Sequence, residues 1–423
     1  MMTTWLLITA LLLLALAGAP LFAIIAAVAF IAFSAVGIDP AALIAELYRL
    51  VDFPALIAIP LFTFAGYVLA ESQAPRRLIT LAQAMFGWVP GGLGVVAVFA
   101  TAVFTAFTGA SGVTIIALGG LLYPALIQQG YPKRFSLGLM TTSGSLGLLF
   151  PPSLPIILYS IVAGVSIDKL FVAGLVPGVL LVVILSAYSV RMGIVAKVPR
   201  TPLVMKGVWQ ALKGAAWEAP LPLIVIGGIY GGIFTATEAA AVTAVYVLVV
   251  EVFIRRDITF FGGLPKVIRE SMILVGAILV MLGAAMGLTS YIIDQQVPMK
   301  LFAFISQYVS SKLVFLIVLN LFILVMNMVE IFSAIIIVVP IIVPVALRFG
   351  VDPVHLGIIF LLNLEIGYMT PPLGLNLFLS SIRFGKPLSE VYRTVLPFFA
   401  LLLVVLLVIT YFPQLSLVLT GGG

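Results

Sequence analysis

The sequence predicts an all-α integral membrane protein built from two inverted repeats, each with a re-entrant helical hairpin and a broken membrane helix. Three observations carry this. Hydrophobic residues make up 63% of the 423 positions and charged residues only 9%, against roughly 25% charged in soluble domains. No soluble fold buries that much apolar surface, so lipid must be the solvent. A gapless offset of 220 positions then brings Pro124 onto Pro344, Gly130 onto Gly350, Gly147 onto Gly367, Pro151-Pro152 onto Pro371-Pro372, Ser160 onto Ser380 and Pro177 onto Pro397. Apolar residues match freely by chance, but paired Pro-Pro dipeptides in register with other Gly and Pro landmarks do not. Matched helix breaks in two halves point to a secondary transporter with its site at the repeat interface.

The third observation is the distribution of the 21 basic residues. Apolar runs bracket spans near 5–17, 20–37, 55–71, 134–163, 168–190, 219–234, 236–254, 271–291, 354–383 and 390–412. Arg49, Lys169, Lys300, Lys312 and Arg348 fall in one alternating set of loops, and the other sixteen fall in the opposite set. The positive-inside rule makes the larger set cytoplasmic. Both termini then lie outside, which requires 92–130 and 312–349 to enter and leave on one side. These are the hairpins, one opening from each face. The first repeat spans 1–216, with broken helix 134–163. The second spans 217–423, with broken helix 354–383. Ala74–Val89 and Ile258–Glu270, short and charged beside Gly-Gly pairs, read as amphipathic helices on the cytoplasmic surface.

Other classes have little material. The pI of about 9.5 reflects basic residues dispersed among short loops, which does not suit nucleic acid. No cysteine and one histidine leave nothing for disulfides, thiolate metal sites or a His-based triad. Trp5–Ala17 makes a poor signal peptide, with no basic segment before it and another apolar run after. An intramembrane hydrolase would need a base beside Ser111, and no dyad is apparent. A channel would need a pore lined by rings of like groups. The chain is read as a non-enzyme with no cofactor.

Non-helical backbone at membrane depth is tolerated where it lines a cavity or coordinates an ion. The chain has four such places in two pairs. The first pair is the tip Phe107–Gly112 with the break Ser143–Ser153. The second is the tip Asn327–Ser333 with the break Asn363–Asn376. Glycine permits unusual dihedrals and proline frees a carbonyl. Freed carbonyls with Ser, Thr and Asn oxygens suit a hard monovalent cation. The candidates are Thr108, Gly109, Ser111 and Gly112 at the first tip, with Ser145, Gly147 and Pro151 at the first break. In the second pair they are Asn327, Glu330 and Ser333, with Glu365, Gly367 and Thr370. Thr108 and Asn376 are also offered to a substrate. Of the acids, Glu238, Glu330 and Glu365 read as deep. Glu238 fits a capping box with Thr235, whereas Glu365 suits an ion ligand or a proton carrier. His355, beside a helix start, reads as structural.

Four segments in this order carry a family resemblance: Phe107–Gly112, Gly147–Ser153, Gly231–Ala241 and Gly367–Pro372. The chain resembles, over nearly its whole length, the large membrane subunit of the tripartite ATP-independent periplasmic (TRAP) transporters. The resemblance implies sodium-coupled import of organic acids across a bacterial inner membrane by an elevator motion of a hairpin-bearing domain. It implies two partners, a periplasmic solute-binding protein and a small four-helix membrane subunit, the latter expected as a separate chain. It also places Ser111, Ser153 and Glu330 on the substrate path, Glu330 standing where relatives carry Asp. A stand-alone ion-coupled carboxylate transporter is the alternative.

Overall fold

The computed structural model describes residues 14, 19–39, 41–50, 53–200, 202–309, 311–326, 331–372 and 374–421. Among them the elements are helices, with no strand. They are α1 (Leu21–Ala35), α2 (Ala41–Arg49), α3 (Ala58–Glu71), α4 (Ala74–Phe86), α5 (Gly92–Thr108), α6 (Ser111–Gln128), α7 (Lys133–Ser143), α8 (Leu154–Ala163), α9 (Ile167–Val195) and α10 (Met205–Gly214). There follow α11 (Leu221–Tyr230), α12 (Ala236–Leu248, extended by a π turn Val249–Ile254), α13 (Gly263–Asp294), α14 (Val297–Ile305), α15 (Lys312–Met326) and α16 (Ile331–Arg348). The chain closes with α17 (Pro353–Gly367), α18 (Leu375–Phe384), α19 (Leu388–Tyr411) and α20 (Gln414–Leu417).

Among the described residues, six helices are long and apolar enough to cross a membrane: α6, α9, α12 with its extension, α13, α16 and α19. The α7/α8 pair, bent by 45° at its break, can make a seventh. The starts of α5, α6 and α7 at Gly92, Ser111 and Lys133 recur at Lys312, Ile331 and Pro353, the offset already seen in the Gly and Pro landmarks. The peptide bonds Pro151-Pro152 and Pro371-Pro372 are both cis.

Packing sorts the helices into two sets. In one, α13 receives α1, α2 and α3, and α12 packs on α3. In the other, the second arm of each hairpin leans on the opposite half: α6 packs on α18, and α16 on α8. Likewise α7 packs on α19 and α9 on α17. The broken helices lie at the centre of this set. Every residue from Val354 to Gly367 is buried, as is every residue from Phe135 to Ser143. A helix apolar all round is buried all round, and this placement puts the two breaks away from lipid.

Two expectations need correction. Ile258–Glu270 is not a separate surface helix, because α13 runs unbroken from Gly263 to Asp294. The Gly262-Gly263 pair sits at the start of that helix, and no Gly or Pro interrupts it between Pro265 and Gly276. Lys266, Arg269 and Glu270 thus ride on the first turns of a long span. The run 219–234 yields only the ten-residue α11, about 15 Å long at 1.5 Å per residue, about half a bilayer core. The expected separate helix beginning at Ala74 is present as α4.

A charged cluster fixes the start of α4 to the second half. Arg77 contacts Glu218, lies 2.6 Å from Asp257 and 3.6 Å from Glu251. Asp257 also accepts from the Gln73 N–H at 2.9 Å, and Arg255 donates to the Gly214 carbonyl. Glu218 and Glu251 are buried; without Arg77, Glu218 keeps only Arg255 at 3.8 Å, and Glu251 keeps no cation within 4 Å among the described residues. Breaking such a pair costs about 3–5 kcal/mol. Arg77→Gln is therefore expected to lower the unfolding midpoint in detergent by several degrees, while Arg76→Gln, on the same helix but outside the cluster, leaves it unchanged. Equal midpoints for both variants would refute the role given to Arg77.

Candidate functional site

The first tip forms where α5 stops. Gly109 ends that helix at φ 63, its N–H bonded to the Thr105 carbonyl, and Ala110 is extended before α6 begins at Ser111. Only glycine enters that left-handed region without steric cost. Thr108 and Ser111 are buried, and Ser111 Oγ has no hydrogen-bond partner among the described residues. Gly112 lies against α18, where an added Cβ would come 2.8 Å from Leu379 Cδ1.

The first break packs directly on this tip. Thr105 Oγ1 lies 2.8 Å from Thr114 Oγ1 and 2.9 Å from the Gly144 carbonyl, tying α5, α6 and the break together. A 3-10 turn, Leu146–Leu149, follows Ser145. Gly147 lies so close to α5 that a Cβ would collide with Ala106 N and Ala102 O. Ser153 caps α8 by position only, since its hydroxyl, like that of Ser143, is buried without a hydrogen-bond partner among the described residues. Pro151 and Pro152 are buried within this loop.

The second break reaches across to the first. Asn376 at the start of α18 donates to the Thr141 carbonyl at 3.2 Å and lies 3.4 Å from Ser145 Oγ. Thr142 Oγ1 is 3.9 Å from the Met369 sulfur. Both contacts run through Asn376 Nδ2, which donates across from the second half, while Asn376 Oδ1 is buried with no hydrogen-bond partner among the described residues. Gly367 ends α17, and the Thr370 hydroxyl bonds back to the Ile366 carbonyl at 2.8 Å. Glu365 is fully buried in α17, and neither of its carboxylate oxygens has a hydrogen-bond partner among the described residues.

Of the second tip, Asn327 and Glu330 lie outside the described residues. Ser333, in the first turn of α16, is 3.2 Å from the Met281 sulfur on α13, in the other helix set. Glu238 is the N3 residue of a complete capping box with Thr235 and is exposed. His355 is buried and structural, 3.2 Å from Ser416 Oγ and 3.3 Å from the Thr410 carbonyl.

Several polar groups here had no individual assignment in the sequence. Asn363 donates at 2.7 Å to Asn320, whose amide is 3.2 Å from Thr410 Oγ1, joining α15, α17 and α19. Asn363 Oδ1 and Ser380 Oγ are further buried atoms without hydrogen-bond partners among the described residues. Ser380 had a signal in its repeat partner, Ser160, but Ser160 spends its hydroxyl on the Val165 carbonyl. Thr105 and Asn320 had none, since the offset pairs them with Val325 and Ala100.

Buried oxygens without donors cost free energy unless something occupies them. At these breaks they are hydroxyl, amide and carboxylate oxygens, a donor set that suits a hard cation. No cluster of His, Cys, Asp and Glu among the described residues makes a multivalent metal site.

Comparison with known proteins agrees with this architecture. The family model of the tripartite ATP-independent periplasmic transporter, DctM component, matches residues 6–415. The chain is 39% identical over 376 residues to the C4-dicarboxylate TRAP transporter large permease protein DctM of Pseudomonas aeruginosa, covering 88% of each. It is 33% identical to the ectoine/5-hydroxyectoine TRAP transporter large permease protein UehC of Ruegeria pomeroyi, covering 86% of this chain and 85% of that one. It is 36% identical to the isethionate TRAP transporter permease protein DctMQ of Oleidesulfovibrio alaskensis, covering 88% of this chain and 58% of that one. In fold it is similar to the crystal structure of the Alcanivorax borkumensis YdaH transporter, at 14% identity and a TM-score of 0.62, covering 90% and 89% of the two chains. The chain is a multi-pass membrane protein and belongs to the DctM family of TRAP transporter large permeases.

Proposed function

We propose that this permease imports a small organic acid coupled to Na⁺, receiving it from a periplasmic solute-binding protein and working beside a small four-helix membrane subunit in a bacterial inner membrane. The observation that carries this reading is the set of buried oxygens without a hydrogen-bond partner among the described residues on the helices flanking the two breaks, above all Asn376 Oδ1, on the amide whose nitrogen reaches Ser145. Oxygens with no protein donor are what a dehydrated monovalent cation needs, and backbone that leaves the helix supplies carbonyls to complete the shell. One cation is assigned to each tip-and-break pair. Ser111, Ser153 and Thr108 are assigned to the substrate, and Glu330 to its hydroxyl groups or to the gate; Asn376, a substrate candidate by sequence, is assigned here to the cation instead, because its amide bonds to the first break. An anionic substrate would be repelled by a bare carboxylate, so a bound cation or a substrate hydroxyl must stand between them.

The halves are read as inverted, with the basic loops cytoplasmic. The set containing α6–α9 and α16–α19 is read as the moving body, and the set containing α1–α3, α12 and α13 as the scaffold. The organic-acid class rests on the substrates named for the relatives, which differ among themselves. Proteoliposomes test the whole reading. Uptake of one acid from a panel is expected only with the cognate binding protein and small subunit present. In the same vesicles, cysteines placed at Lys206 and Asp168 are expected to label from opposite faces. Full uptake by the chain alone favours the stand-alone transporter, and labelling of both cysteines from one face refutes the inversion.

A further inference from the structure

The stretch 191–217 joins the two halves and holds Arg191, Lys197, Arg200, Lys206 and Lys213 without one acidic residue. It begins at the end of α9, a 29-residue apolar helix. At 1.5 Å per residue that helix is about 43 Å long, more than a hydrocarbon core of about 30 Å. The stretch therefore starts in the headgroup region.

Within it lies α10. Met205, Trp209 and Leu212 follow the i, i+4, i+7 spacing that sets side chains on one face, and they are 72%, 57% and 39% exposed. Ala211 is the only buried residue of the helix. Lys213 Nζ sits 5.4 Å from the centre of the Trp209 ring, and Lys206 adjoins Met205. Leu203 and Val204, just before the helix, are exposed as well. The helix packs on α4, yet its apolar stripe is left uncovered by the described chain.

A solvated linker would not carry three large apolar side chains on one outward face. An acidic protein surface would meet the lysines but not the stripe. Five cations with no anion, around an apolar stripe at the end of a spanning helix, match the boundary between acyl chains and phosphate headgroups. We propose that α10 with its basic flanks is a binding surface for anionic phospholipid, Trp209 entering the acyl boundary and Lys206 and Lys213 meeting phosphate. The inference rests on the membrane location of the chain and not on Na⁺ coupling.

The test uses the full chain assembled with its small subunit, Trp209 being the sole tryptophan after Trp5→Phe, Trp88→Phe and Trp217→Phe. Fluorescence is read in nanodiscs containing brominated phosphatidylglycerol or brominated phosphatidylcholine at equal fractions. Severalfold stronger quenching by the brominated phosphatidylglycerol is expected, with the difference abolished in Lys206→Gln/Lys213→Gln. If the tryptophan replacements prevent assembly, native mass spectrometry of the otherwise unaltered complex replaces fluorescence, and the lysine variant should retain fewer phosphatidylglycerol molecules. Absence of quenching would mean a solvated linker. Quenching of the chain alone that disappears on assembly would mean the subunit covers the stripe. Equal quenching by both lipids, or equal lipid retention by the lysine variant, would mean no anionic preference. Each of these outcomes overturns the proposal.

Discussion

Gly147→Val is expected to abolish uptake and to destabilise the chain by roughly 3 kcal/mol. A Cβ at this position meets Ala106 N and Ala102 O, both main-chain atoms of α5, and comes 2.5 Å from Thr105 Cβ. Overpacking in a core costs about 1–3 kcal/mol where neighbours can shift. Here the neighbours are the backbone of the hairpin arm, so the cost lies at the upper end. The same displacement moves Thr105, which touches both Thr114 and the Gly144 carbonyl, and so it separates the tip from its break. Gly276 in α13 provides the control, because nothing lies within 4 Å of an added Cβ there. Gly276→Ala should retain uptake and gain stability on the order of 0.5–1 kcal/mol from helix propensity. Uptake in Gly147→Val at the level of Gly276→Ala would contradict the close tip-and-break packing.

Asn376→Ala is expected to raise the Na⁺ concentration for half-maximal uptake by roughly tenfold or more. Two losses combine. The amide no longer donates to the Thr141 carbonyl, which leaves a buried acceptor unpaired at about 1–3 kcal/mol, and the orphan Oδ1 is no longer available to a cation. Each 1.4 kcal/mol is a factor of ten in affinity. Ser145→Ala removes one hydroxyl and leaves the carbonyls around it, so its shift should be smaller, with maximal uptake nearly preserved. Measuring uptake against external Na⁺ for both variants separates the two contributions. Unchanged Na⁺ dependence in both, with normal expression, would remove this pair from the ion site.

Much of this arrangement was legible from residue spacing. Gly109, placed after Phe107-Thr108, ends α5 in a left-handed conformation, as the need for glycine at a turn between two helices implies. The Pro-Pro pairs mark both breaks because neither can continue a helix. Thr235 and Glu238 close the capping box that their spacing suggests. What could not be read is what long-range packing decides. Arg77 meets Glu218 and Asp257 across 141 and 180 residues, and no local pattern in α4 distinguishes Arg77 from Arg76. Glu251 sits inside an apolar run, yet its partner lies on a distant helix. The Asn320–Asn363 contact joins two helices whose sequences show no matching signal. Asn376 was readable as a polar residue at the second break, but its reach to Ser145 follows from how the halves interlock.

On the proposed function, Na⁺ held at these breaks drives the substrate across the membrane. The most direct test is uptake of the transported acid into proteoliposomes containing the chain, its small subunit and its binding protein, under an imposed Na⁺ gradient or an imposed proton gradient. Accumulation is expected with an inward Na⁺ gradient at equal pH on both sides, and none with a proton gradient in Na⁺-free buffer. Accumulation driven by protons without Na⁺ would contradict the assignment and leave Glu365, the buried carboxylate in α17, as the coupling group.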